Sequence, residues 1–105
     1  VLQVDTSSRS VHNVGSNIFD TKMERMLQNK WQNGLTSDNF VFAIPLAAET
    51  VLRIDTSLSS TNNAVTTWKL PSPQSGLAKW EGGALASNGA MYCMPNNHKA
   101  VLRIA

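Results

Sequence analysis

Val51-Leu52-Arg53-Ile54-Asp55-Thr56-Ser57 is the stretch that decides the fold. It returns as Val1-Leu2-Gln3-Val4-Asp5-Thr6-Ser7 and as Val101-Leu102-Arg103-Ile104-Ala105, each copy 50 residues after the one before. Self-similarity at a fixed period of this size marks a repeat architecture, in which one unit is one supersecondary element. Leu52 and Ile54 share one face of the strand, and Val51 and Arg53 the other. The pattern predicts a strand buried mainly on one side, closed by a turn whose Asp, Thr and Ser oxygens bond backbone N–H groups.

Working outward, Pro45 meets Pro95, Ile44 meets Met94 and Phe42 meets Tyr92. Asp38-Asn39 meets Asn88-Gly89, Ser37 meets Ser87, and Leu35 meets Leu85. Lys30-Trp31 meets Lys79-Trp80 with a one-residue deletion in the earlier copy. Asn88-Gly89, flanked by apolar residues, is a hairpin signal that expects positive φ at both turn residues. Phe40–Ile44 and Met91–Met94 are apolar on both alternating faces, as a buried central strand is. Ala64, Thr66, Trp68 and Leu70 alternate with Val65, Thr67 and Lys69, and Pro71-Ser72-Pro73 ends that strand because proline cannot donate to a ladder. Strands are therefore expected near 1–4, 10–14, 32–36, 40–45, 50–54, 64–70, 81–86, 90–95 and 100–104. They pack face to face through Leu35, Phe42, Ile44, Leu52, Ile54, Trp80, Leu85, Tyr92 and Met94. One stretch departs from the period. Thr21-Lys22-Met23-Glu24 has the capping-box form, and Phe19, Met23, Met26 and Leu27 follow helical spacing, so a short helix is predicted over about Thr21 to Gln28.

Four short strands in about fifty residues is the size of one β-propeller blade. The run from Lys79-Trp80-Glu81-Gly82-Gly83 through Asn88-Gly89-Ala90-Met91-Tyr92-Cys93-Met94-Pro95 to Val101-Leu102-Arg103-Ile104 resembles a kelch-sized propeller repeat. That repeat reads Lys-Trp-x-Gly-Gly, then Asn-Gly-x-Ile-Tyr-Cys-Ile-Pro, then Val-Leu-x-Ile-Asp. The earlier copy departs from it, with Gln32-Asn33-Gly34 in place of the paired glycines and Asp38-Asn39 in place of Asn-Gly. The resemblance implies an all-β chain of about two four-stranded antiparallel blades with one inserted helix. Residues 1–14 would end a first blade, 15–29 form the insertion, 30–70 a complete blade, 71–78 a linker, and 79–105 a third blade without its last strand. A closed propeller has about four to eight blades, so the expectation is a fragment of a larger ring that is not stable as a free monomer.

The chain has 105 residues, 15% charged, with a net charge of +2. The nine Lys and Arg residues are scattered without a basic cluster, which argues against a nucleic-acid partner. No apolar run reaches the length of a membrane-spanning helix, and no targeting segment is visible, so the compartment stays open. Cys93 is the one cysteine, which excludes an internal disulfide and reads as a small packed hydrophobe.

Candidate chemistry is sparse. His98, in Asn96-Asn97-His98-Lys99, has no second His or Cys at ligand spacing and reads as a solvated loop residue, and His12 as a strand surface residue. No Gly-x-Ser-x-Gly elbow is present and no helix with Lys-Ser/Thr follows Gly82-Gly83. Neither a catalytic residue nor a cofactor or metal is expected. Trp31 and Trp80 read as packing anchors between sheets, with stacking on a sugar as the alternative. The expected role is a non-catalytic interaction or scaffold module whose partners are proteins or further blades, in an oligomer or larger assembly. The alternative is a carbohydrate or small-ligand binder, or an enzyme, completed by other blades. In up-and-down blades the connections 15–29, 46–50, 71–78 and 96–100 emerge on one side. Function tends to sit in such loops, so Phe19, Lys22, Met23, Arg25, Met26, Asn96, Asn97 and His98 are the candidate partner-binding residues.

Overall fold

The computed structural model describes residues 1–15, 28–58, 62–71 and 76–104. The expected inserted helix and the residues Phe19, Lys22, Met23, Arg25, Met26 and Leu27 lie outside the described residues, as does part of the 71–78 linker. The described residues form nine strands in three antiparallel sheets. The first sheet pairs β1 (Leu2–Asp5) with β2 (Ser10–Asn13). The middle sheet has the order β3 (Trp31–Ser37), β4 (Phe40–Pro45), β5 (Thr50–Asp55), β6 (Val65–Lys69). The third has the order β7 (Trp80–Leu85), β8 (Met91–Pro95), β9 (Leu102–Ile104). Two short 3-10 turns, Thr56–Leu58 and Asn62–Ala64, flank the β5–β6 connection. Within each sheet every strand pairs with its neighbour in sequence, which is the outcome short connections favour.

The middle sheet carries buried apolar residues on both faces. One face presents Phe42, Ile44 and Val51, which cluster with Trp80, Met91, Cys93, Leu102 and Ile104 of the third sheet. The other presents Leu52, Ala64 and Val65, which cluster with Val14, just past β2. Val51 and Leu52 are both buried, so β5 is buried on two sides and not mainly on one. For the same reason Leu52 and Ile54 belong to a different cluster from Phe42 and Ile44. Three further residues expected in the core are not there: Leu85 and Met94 are exposed and Tyr92 is half-buried. Tyr92 and Met94 point away from the Met91 and Cys93 side of β8, which is the side that meets the middle sheet.

The registers locate the one-residue difference between the two longer copies. Trp31 pairs with Pro45 and Gly34 with Ala43; Trp80 pairs with Pro95 and Gly83 with Cys93. Positions in β3 and β7 therefore correspond at 49 residues, and those in β4 and β8 at 50. The extra residue lies in the hairpin loop. Ser37 pairs with Phe40 across the two-residue loop Asp38-Asn39. In the other copy Ala86 N–H donates to Ala90 O and Gly89 N–H to Ala86 O, leaving the three-residue loop Ser87-Asn88-Gly89. Only Gly89 there takes positive φ, at 82°, so the expected two-residue turn is instead a three-residue loop with a left-handed last residue. Leu35 consequently corresponds to Ala84, not to Leu85.

Both copies also carry the same bulge, between Trp31 and Gly34 and between Trp80 and Gly83. The left-handed residue in it is Asn33 (φ 61°) in one and Gly82 (φ 72°) in the other. Asn is among the side chains that best tolerate this region, so the Asn33-Gly34 departure from paired glycines preserves the backbone. The second glycine is needed for space. A Cβ on Gly83 would lie 2.7 Å from Tyr92 O, and one on Gly34 3.2 Å from Phe42 O.

Candidate functional site

The described ends of the connections expected on one side of the sheets share a hydrogen-bond pattern that repeats. Lys30 O accepts from Leu46 and Ala48 N–H, and Asn29 O from Ala47 N–H. Lys79 O accepts in the same way from Asn96 and His98 N–H, and Ala78 O from Asn97 N–H. Asn29 (φ 51°) and Ala78 (φ 55°) are both left-handed, which aims their carbonyls at the following loop. Lys79 N–H donates to Leu46 O at 2.9 Å, joining the pattern of the middle sheet to that of the third.

Each tryptophan locks its own loop from beneath. Trp31 Nε1–H donates to Thr50 O at 2.7 Å, and Trp80 Nε1–H to Ala100 O at 2.8 Å. Trp80 is buried within the main cluster, and Trp31 is half-buried against the second one. With its indole N–H engaged and its ring enclosed, Trp80 offers no stacking platform for a sugar.

The three described members of the expected partner-binding set occupy the 96–100 connection. Asn96 and Asn97 are exposed. Asn97 Nδ2 donates to Leu77 O at 3.4 Å, and Asn96 Nδ2 to Glu81 Oε2 at 3.5 Å, both long bonds at the surface. His98 is not the solvated residue expected. It is half-buried, its ring centroid lies 4.3 Å from that of Trp80, and its Nδ1 accepts from Ala100 N–H at 3.2 Å. The stacking uses the ring as a lid over the anchor tryptophan. His12, by contrast, is exposed on β2 and bonds Ser10 Oγ at 3.0 Å.

Lys79 is a residue that composition and spacing did not single out. It is 2% exposed, and Nζ donates to Gly76 O at 3.1 Å. Burial lowers its pKa, and the opposing Glu49 carboxylate partly offsets that. The only sign in the sequence was the recurrence of Lys before each Trp, Lys30 being half-buried at the matching place.

The remaining candidates are structural. Asp55 Oδ1 accepts from Ser57 N–H and Oγ–H, and Asp5 Oδ1 from Ser7 and Ser8 N–H. These bonds hold both carboxyls below the ordinary aspartate range, the Ser57 hydroxyl leading for Asp55 and the Ser8 amide for Asp5. Cys93 is fully buried and its thiol is pushed up to about 11 by desolvation, so it remains protonated and unreactive at neutral pH. Among the described residues no group of three or more His, Cys, Asp or Glu side chains could hold a metal ion. No described helix is long and apolar enough to cross a membrane.

A shallow groove of about 260 Å³ opens where the middle and third sheets meet. Arg53 lies over the Phe40 ring, its guanidinium carbon 3.9 Å from the centroid, with Trp68 at 5.8 Å. The cation thus covers aromatic surface at the sheet junction. No family model, no curated protein and no solved structure matches the chain.

Proposed function

We propose that the chain is a non-catalytic interaction or scaffold module, built from successive propeller-type blades that present one layer of loops to a protein partner. The observation that carries this reading is the repeated use of the recurring polar and aromatic residues for architecture. Trp31 and Trp80 bond the carbonyls of Thr50, at the start of β5, and of Ala100, in the loop before β9, and Asp5 and Asp55 bond their own turns. A residue type that recurs in each unit and is occupied in each unit belongs to the scaffold. What differs between units is the loop layer, where Asn96 and Asn97 hold their amides at the surface on long bonds. Exposed amides on a rigid framework suit contacts with a polypeptide surface.

The test combines two measurements on the full chain. Photoreactive residues replacing Asn96 and Asn97 should crosslink to a discrete polypeptide in the source cell. A thermal-shift panel of monosaccharides, nucleotides and divalent metal ions should leave Tm unchanged. A Tm rise with a sugar or an anion, abolished by Arg53→Ala, would replace this reading with ligand binding in the groove beside Phe40 and Trp68.

A further inference from the structure

The loop that enters the third sheet carries Leu77 at 67% exposure, the most exposed large apolar side chain among the described residues. A single exposed leucine is ordinary on a protein surface. What sets Leu77 apart is how firmly its backbone is held. Three successive carbonyls are engaged: Gly76 O accepts from Lys79 Nζ at 3.1 Å, Leu77 O from Asn97 Nδ2 at 3.4 Å, and Ala78 O from Asn97 N–H at 2.9 Å. Ala78 stands at φ 55°, a conformation that persists where the surroundings over-determine it. Lys79 is buried, and a buried ammonium is costly, yet its Nζ is directed to this loop. The segment therefore displays an apolar side chain in a fixed place. The middle sheet repeats the left-handed residue, as Asn29, and the backbone bonds to it. There an exposed Gln28 stands at the place of Leu77, and Ala47 at that of Asn97. Leu77 and the side-chain bond from Asn97 thus belong to one unit and not to the architecture common to both.

We propose that Leu77 is the anchor by which these loops bind a partner protein, entering a pocket on that partner sized for one aliphatic side chain and rimmed by N–H donors. A rigid backbone makes an exposed side chain a good anchor, because little ordering remains to be done on binding. The rim follows from the polar groups beside the anchor. Asn97 uses its Nδ2 on Leu77 O, and the adjacent Asn96 uses its Nδ2 on Glu81 Oε2. Neither amide oxygen has a hydrogen bond among the described residues, and both side chains are exposed. Two acceptors therefore stand next to the leucine, and the complementary surface supplies donors. An apolar centre within a polar rim is the common anatomy of a protein contact. The inference rests on reading the loops as the partner-binding surface, and adds the residue that binds and the chemistry it selects.

The test uses the full chain in the source cell, with photoreactive p-benzoylphenylalanine in place of Asn96 as the probe. Four backgrounds carry it: unaltered, Leu77→Asp, Leu77→Met and Val11→Asp. Val11 is 58% exposed on β2 and controls for the loss of any exposed apolar side chain. Both sites are exposed, so all variants should keep the Tm of the unaltered background, which a thermal melt checks. If Leu77→Asp lowers Tm, Leu77→Ser replaces it. The unaltered background should give one discrete crosslinked polypeptide. Leu77→Asp should cut its yield about tenfold or more, the fold-change one buried aliphatic side chain is worth. Leu77→Met, which conserves volume, should keep most of the yield, and Val11→Asp all of it. A Leu77→Asp yield equal to the unaltered one overturns the proposal and leaves the loop reading standing. An equal loss in Val11→Asp overturns it as well, because the effect is then not specific to the anchor. No discrete crosslink in the unaltered background defeats both.

Discussion

Trp80 donates its indole N–H to the carbonyl of Ala100 at 2.8 Å, from inside the main apolar cluster. One bond thereby joins the first strand of the third sheet to the loop that leads into its last strand. Trp31 and Thr50 repeat the contact in the middle sheet. Replacing Trp80 by Phe keeps much of the packing and orphans the Ala100 carbonyl, a loss of about 1–3 kcal/mol. Replacing it by Ala adds a cavity and costs about 3–5 kcal/mol. Urea denaturation of the two variants should show that order, and Trp31→Ala, at a half-buried site, should cost less than Trp80→Ala.

The bulge makes a prediction about exchange between copies. Gly82→Asn reproduces the Asn33 solution and should lower stability by under about 1 kcal/mol, while Gly82→Val puts a branched side chain at φ 72° and should cost more. Gly83→Ala should cost more than Gly34→Ala, because the new methyl meets Tyr92 O at 2.7 Å rather than Phe42 O at 3.2 Å. Denaturant midpoints of the four variants, compared at constant m-value, test both orderings.

Ala78 stands at φ 55° with a Cβ that this region disfavours. Ala78→Gly relieves that strain by about 1–2 kcal/mol and returns part of it as unfolded-chain entropy, for a net gain of about 0.5–1 kcal/mol. Ala78→Asn, copying Asn29, should also stabilise, by less. A raised thermal midpoint checks both, and a lowered one would show that the left-handed backbone here costs nothing.

Cys93 predicts an alkaline limit. Its thiol has a folded pKa of about 11 against an ordinary value of 9.0, so folding favours the protonated form. Its contribution is complete below pH 9.0 and is lost as pH rises toward about 11. The stability difference between wild type and Cys93→Ala should therefore be flat to pH 9.0 and shrink above it. Lys79, whose lowered pKa acts with the opposite sign, is common to both proteins and cancels. At neutral pH a thiol reagent should react with Cys93 only at the rate of unfolding.

The acid side has the reverse sign. Asp5 and Asp55 have lowered pKa values from turn hydrogen bonds, so their contribution is present above the ordinary value of 3.8 and is lost as pH falls through the folded values. Asp55→Asn should flatten the acid limb of a plot of Tm against pH relative to wild type.

Periodicity alone determined the strands, their sequential antiparallel pairing and the turns at Asp5 and Asp55. These depend on local chemistry: alternation over a few residues, and a carboxylate within reach of the next amides. Gly34 and Gly83 were visible too, but their correspondence was not, because the extra residue could be placed anywhere between the tryptophan and the second strand. Only the registers put it in the hairpin loop. The candidate site was half legible. Asn96, Asn97 and His98 were found as a loop, yet the stacking of His98 on Trp80 and the burial of Lys79 depend on residues brought in from another element. Phe42 and Tyr92 show the general reason. They occupy the same place in the repeat and have closely similar side chains, but Phe42 is buried and Tyr92 is half-buried. A strand's sequence determines that both its faces are apolar. Whether a face is core depends on the sheet beside it, and that is decided only by tertiary structure.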